Sequence, residues 1–175
     1  MKSVRDIFRH YAFFDGEGKH IWGTDRESNH SYGDAYESLF SDRYAVKLML
    51  EIGVADGNSL LACREVFPLA LIVWMDLQPP CFSLAVSQVE FHLADQRLRE
   101  DCERLVEVRQ FDFIVDDASH QPADVLVCLL WMWPYLKSGG IYVIEDLEPH
   151  ICDRFAALLP QATVIPNTGR FGGLE

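Results

Sequence analysis

From Val46 onward the chain alternates short, almost wholly apolar runs with amphipathic segments, and few architectures accommodate that alternation. Strands that are apolar on both faces must be covered on both faces, which is the condition of a parallel sheet wrapped by helices. The spacing predicts strands over 46–54, 69–77, 89–95, 111–120 (running into a loop), 141–147 and 162–166. Between them it predicts helices over 56–67, 97–108, 122–136 and 150–160. Leu98, Cys102 and Leu105 recur at helical spacing in the second of these. Pro122 stands in the first turn of the third, where a missing N–H costs nothing, and 138–140 (Ser-Gly-Gly) is expected to end it. Trp131 and Trp133 are expected in the core. The fold class is therefore α/β, a doubly wound and mostly parallel sheet, with ligands held at the carboxyl ends of the strands.

One domain is expected over 1–175, with a cap or lid segment at 1–45 and the α/β core at 46–175. The first segment is polar and aromatic and holds His10, His20 and His30, three of the six histidines. In it, Tyr32, Tyr36 and Phe40 have the spacing of a helix packed on the core. Fifteen basic against twenty-seven acidic side chains give a charge of −12, which repels phosphate backbones and argues against nucleic acid as a partner. The longest strongly apolar run, residues 125–136, has 12 residues, whereas a membrane span needs roughly 20. Arg5, Asp6 and Arg9 interrupt the stretch where a signal peptide would be apolar. The five cysteines form no C-x-x-C pair, so most are expected as buried thiols in a reducing compartment. A cytoplasmic location is the expectation.

The first predicted strand ends in Glu51-Ile-Gly53-Val-Ala-Asp-Gly57-Asn58-Ser59. Gly53 and Gly57 free the turn and let a ligand approach its backbone. Ala55 breaks the G-x-G-x-x-G fingerprint, so a dinucleotide is disfavoured. An acidic residue leading into G-x-x-x-G suits a ligand without a pyrophosphate, such as S-adenosylmethionine (SAM). Asp76 ends the next strand, 25 residues after Glu51, and is placed for a ribose diol. Asp95 ends the third strand. Both acids also have a plain reading as solvated loop residues.

The blocks LEIGVADGNSL, FDFIVDDASH and LKSGGIYVIEDLEP, in that order, resemble SAM-dependent O-methyltransferases of the macrolide-sugar (mycinamicin/macrocin) type. These are metal-dependent class I enzymes with a Rossmann-like fold, related to chains labelled cephalosporin hydroxylases. Residues 23–40 resemble the segment that precedes the first strand in that group. Ala118 stands where the family's D-D-G-S-H block has Gly, and the chain reaches Glu175 without the family's last strand. An unpaired sheet edge there would favour a homo-oligomer.

The resemblance implies SAM bound through Glu51, Gly53, Gly57, Asn58, Ser59, Asp76, Asp95 and Asp116. It implies Mg²⁺ or Mn²⁺ held by Asp117, Glu145 and Asp146, with His120 as catalytic base. Carboxylates without Cys or paired His suit such a hard cation. The acceptor is expected to be a hydroxyl of a sugar or glycosylated natural product. Thr24, Asp25 and His30 are expected near cofactor or substrate, and His150 either near the same mouth or at a surface helix start. Three plainer readings stay open: Glu145-Asp146 as loop polarity or helix cap, His120 as a loop residue, and Trp131 and Trp133 as packing only. Two rival functions also stay open: a metal-dependent hydroxylase or hydrolase on the same scaffold, and a SAM-binding protein without activity.

Overall fold

The structure, a computed structural model, describes residues 2–14, 20–79, 87–106, 109–159 and 163. They fall into two compact units. One takes the described residues of Met1–Ala45 and Asp56–Pro68, the other those of Val46–Ala55 and Leu69–Val164.

In chain order the elements are α1 (Val4–His10), β1 (Ala12–Phe14), β2 (His20–Gly23), α2 (Gly33–Leu39), β3 (Leu48–Ile52), α3 (Asn58–Val66), β4 (Leu71–Asp76) and β5 (Val89–Leu93). They continue with α4 (Arg99–Val106), β6 (Phe111–Asp116), α5 (Pro122–Met132), a 3₁₀ turn (Trp133–Tyr135), β7 (Leu136–Ile144) and α6 (Pro149–Leu158).

The first unit holds α1, the antiparallel β1–β2 hairpin, α2 and α3. Ser3 caps α1 by accepting the Asp6 N–H at 3.1 Å, which satisfies one of the orphan donors of the first turn. Tyr36 and Phe40 of the expected aromatic stripe are buried, and Tyr32 is half-buried. Tyr36 meets Phe8 edge-on at 5.3 Å, and Phe40 meets Phe67 at 4.9 Å. The buried Glu27 carboxylate forms an ion pair with Arg5 at 3.0 Å and accepts the Gly33 N–H at 3.1 Å.

The second unit is the parallel sheet, in the order β5-β4-β3-β6-β7. Strand order reverses between β3 and β6, whose register pairs Ile52 with Asp116. Leu50, Ile52, Val73, Met75 and Ile114 pack on Cys102, Leu105 and Val106 of α4 and on Cys128 and Met132 of α5. The adjoining strip of α5, Val125 and Leu129, packs on Ile151 and Phe155 of α6. Cys63, Cys102 and Cys128 are buried free thiols and Cys152 is half-buried. Cys81 lies outside the described residues, as does the expected strand at 162–166 except for residue 163. Among the described residues no helix is long and apolar enough to cross a membrane.

Four expectations need correction. The helix from Pro122 stops at Met132 rather than 136, because Pro134 lacks the N–H that another helical turn would use. Ser138-Gly139-Gly140 therefore does not end a helix. It lies inside β7, where the pairing jumps from Phe111–Leu136 to Phe113–Ile141 and Gly139 takes φ +79°. Trp133, expected in the core, is 45% exposed in the 3₁₀ turn, and Leu98 is exposed ahead of α4. Trp131 is half-buried beneath the Arg99 guanidinium.

At the amino end of β6 the Asp112 carboxylate accepts the N–H groups of Lys47 and Leu48, both at 2.9 Å, and the Lys137 ammonium at 2.7 Å. One side chain thus joins the entries of β3, β6 and β7. Burial pushes its pKa up, but the bond from Lys137 and the two N–H donors outweigh burial and hold it below the usual carboxylate value. A folded pKa below the unfolded one adds stability that is full above the ordinary range near 3.9 and is lost as pH falls through the folded value. Asp112→Asn is expected to cost about 1–3 kcal/mol in denaturant unfolding at pH 7. The gap to wild type should close as pH falls through the folded value. A gap that persists unchanged at low pH would assign the loss to packing instead.

Candidate functional site

The carboxyl rim of the sheet is where the ladder hands over to loops. Gly53 N–H donates to Met75 O, Asp117 N–H to Ile52 O and Glu145 N–H to Asp116 O, each at 2.9 Å. Each loop therefore starts from a position fixed by its neighbouring strand.

Gly53 takes φ +80°. A Cβ there would lie 2.4 Å from Ala118 Cα and 2.6 Å from Asp117 O, so only glycine lets the loops after β3 and β6 pass each other. Ala118 itself is accommodated at this crossing. Asp76 holds the rest of the turn: one carboxylate oxygen accepts Val54 N–H at 2.8 Å and Ala55 N–H at 3.3 Å, the other Gln78 N–H at 2.9 Å. The oxygens expected for a ribose thus also shape the turn that the ribose would meet.

These loops enclose a cavity of about 330 Å³ whose wall includes Gly53, Asp76, Asp95, Gln96, Asp117 and Ser119. That is at the small end of the range for ligand pockets. Asp95 is held by Arg97 at 2.7 Å, a bond that keeps its carboxyl below the usual range. Glu51 and Asp116 are almost fully buried and are not on the cavity wall. Burial pushes Asp116 up to about 7, against the opposing bonds from the Ala118 N–H and the Gln96 amide. Gly57 (φ +85°), Asn58 and Ser59 open α3 in the other unit. Asn58 Nδ2 and Ser59 Oγ are buried with no hydrogen-bond partner among the described residues.

Beside the cavity, Asp117, His120 and Asp146 each offer a ligand atom, and the three atoms lie within 4.8 Å of one another. Two of the three expected metal ligands and the expected base are thereby brought together. Glu145, the third expected ligand, is buried and stands outside that cluster. His120 and Asp146 sit at φ +53° and +57°, left-handed conformations that cost side-chain-bearing residues about 1–2 kcal/mol each. Such strain persists where the surroundings fix it and is found at functional loops. Two carboxylates and an imidazole at this separation fit a divalent cation.

His150 is exposed and pairs with Glu148 at 3.2 Å, the geometry of a surface helix start. In the first unit Thr24 is buried, and His30 bonds Asp25 at 3.1 Å while stacking on Tyr32 at 5.2 Å. Burial raises the Asp25 carboxyl, but the bonds from His30 and Asn29 outweigh it and leave it lowered. Two residues escaped the sequence reading. Asp56 accepts Gly23 N–H at 2.8 Å and Asn58 N–H at 3.0 Å, tying the β2 end to the start of α3. Gln96 lines the cavity while binding Asp116 and Ser119.

A family described as a methyltransferase domain matches residues 50–147, which run from within β3 through β7 and the loops of the rim. The chain belongs to this family. The methyltransferase domain is 30% identical over 135 residues to the 8-demethyl-8-alpha-L-rhamnosyl tetracenomycin-C 2'-O-methyltransferase of Streptomyces olivaceus, covering 72% of this chain and 35% of that protein. It is 30% identical over 129 residues to the mycinamicin VI 2''-O-methyltransferase of Micromonospora griseorubida, covering 67% and 32%. The chain thus spans about a third of the length of these curated relatives. Among solved structures it superposes on the MycE methyltransferase of the mycinamycin biosynthetic pathway, described in complex with Mg and SAH. The TM-score is 0.71 at 23% identity, over 91% of this chain and 41% of that one. That likeness establishes a Rossmann-like class I methyltransferase fold.

Proposed function

We propose that this methyltransferase domain transfers the methyl group of SAM to a hydroxyl of a sugar or glycosylated natural product, with help from a divalent cation. One observation carries the reading: Asp117 belongs both to the cavity wall and to the cluster with His120 and Asp146. A donor pocket and an acid-imidazole cluster that share a residue have the layout needed for in-line transfer between two bound groups. The relatives named above support the sugar hydroxyl as acceptor.

SAM, when bound, supplies the electrophilic methyl group, and Mg²⁺ or Mn²⁺, when bound, lowers the pKa of the acceptor hydroxyl. The chain's own residues do the rest. Gly53 brings bare backbone to the cavity wall, and Asp76 fixes the turn and faces the ribose. Asp117 and Asp146 would hold the cation, and His120 beside them is placed to accept the hydroxyl proton.

Calorimetry on the purified chain should show SAH, the demethylated product, binding in the micromolar range. Asp76→Ala should weaken it at least tenfold, because the N–H groups of Val54, Ala55 and Gln78 lose their acceptor along with the ribose contact. Methyl transfer should stop in EDTA and resume with Mg²⁺. A folded protein that binds neither SAM nor SAH would overturn the donor site, and full transfer in EDTA would remove the cation. Metal-dependent turnover without any SAM binding would point to hydrolase or hydroxylase chemistry.

A further inference from the structure

Gln96 is uncharged and belongs to none of the sequence blocks, yet it occupies a junction. It lines the cavity although only 6% of it is exposed. Its amide nitrogen donates to both carboxylate oxygens of Asp116, at 3.3 Å each, and its amide oxygen accepts the Ser119 N–H at 3.3 Å. The contacts fix the amide's orientation, since only nitrogen can face the carboxylate and only oxygen can face the N–H. Gln96 is itself anchored to α4: Cys102 Sγ donates to its carbonyl oxygen at 3.6 Å, and Asp101 accepts the neighbouring Asp95 N–H at 2.9 Å.

β5 and β6 share no ladder, because β4 and β3 lie between them. Their ends stand about 14 Å apart at normal strand spacing, so the loop after β5 must lean back over two strands for this contact. The two residues it grips, Asp116 and Ser119, bracket Asp117 and Ala118 and lead directly into His120. On the other side the same segment rests on Gly53. The segment is therefore held from both flanks.

We propose that Gln96 is a positioning residue: by clamping Asp116 and Ser119 it holds residues 117–120 in the one conformation that brings Asp117 and His120 to Asp146. This rests on the cation reading given above. Partners that orient metal ligands typically contribute 10–100-fold in metal affinity or activity.

The test is Gln96→Met, which keeps the side chain's length and removes its hydrogen bonds. Mn²⁺ affinity is read by electron paramagnetic resonance, SAH affinity by calorimetry, and backbone protection by amide hydrogen exchange, all on the full chain. Mn²⁺ should bind 10–100-fold more weakly. Ser119 should exchange at least tenfold faster, with β3, β4 and β6 still protected, as expected for a freed loop on an intact sheet. Unchanged exchange at Ser119 would overturn the clamp, and faster exchange with unchanged Mn²⁺ affinity would overturn its role. Equal losses of Mn²⁺, SAH and strand protection would reduce Gln96 to a packing residue and overturn the proposal. A wild-type chain without Mn²⁺ affinity would instead overturn the cation reading, before any substitution is made, and Ser119 exchange would still decide whether the clamp exists.

Discussion

Replacing His120 by alanine is expected to lower kcat by roughly 10²–10⁴-fold, the usual contribution of a well-placed general base. The imidazole is exposed, stands within 4.8 Å of ligand atoms on Asp117 and Asp146, and is aimed by a left-handed backbone that no regular turn requires. A base and a ligand can be told apart because they fail differently. If His120 takes the proton, His120→Ala should keep Mn²⁺ and SAH affinities within about threefold, and added Mg²⁺ should not restore the rate. Asp117→Ala should behave in the opposite way, with weak metal binding and a rate that excess Mg²⁺ partly recovers. Unchanged kcat in His120→Ala would return the residue to an ordinary loop position. Loss of Mn²⁺ binding would make it a ligand.

The second large effect is structural. Gly53→Ala would drive a Cβ to 2.4 Å from the Ala118 Cα, into backbone that has no rotamer by which to move aside. It would also place a side chain at φ +80°. Together these should cost about 2–5 kcal/mol, summing left-handed strain and overpacking. Gly139 is the natural control, because it has a similar φ of +79° but nothing within 4 Å of the added methyl. Gly139→Ala should cost only about 1 kcal/mol. Denaturant unfolding of the two variants isolates the steric part, and Mn²⁺ binding by the surviving Gly53→Ala fraction reports the displacement of Asp117. Equal stability of the two variants would mean that the crossing at Gly53 is not tight.

Most of the sheet was legible because strands covered on both faces must be largely apolar, and β3, β4 and β6 are apolar apart from Glu51, Asp76, Asp112 and Asp116. Their neighbouring order on the rim came from the resemblance to class I methyltransferases, which put Asp117, His120, Glu145 and Asp146 on adjacent loops before the sheet was seen. Glu145 could not be separated from Asp146, because one residue of backbone turn decides which carboxylate faces the cluster. That turn, at φ +57°, has no signature in an Asp. Gln96 was invisible for a different reason: its role depends on a loop crossing two strand ends, and an amide carries no charge pattern to betray it. Pro134, by contrast, was a readable stop that the apolar run from Val125 to Leu136 obscured.

The Asp112 clamp and the reactive loops lie at opposite ends of β6, five residues and so about 16 Å apart from Asp112 to Asp117. At that separation the energetic effects of substitutions are nearly additive. A lineage carrying this domain can therefore accumulate costly loop changes that suit a new acceptor while regaining stability at the far rim, where no reacting group is disturbed. Selection on the loops and selection for a folded chain then act on separate sets of residues, which lets one sheet carry many different rims.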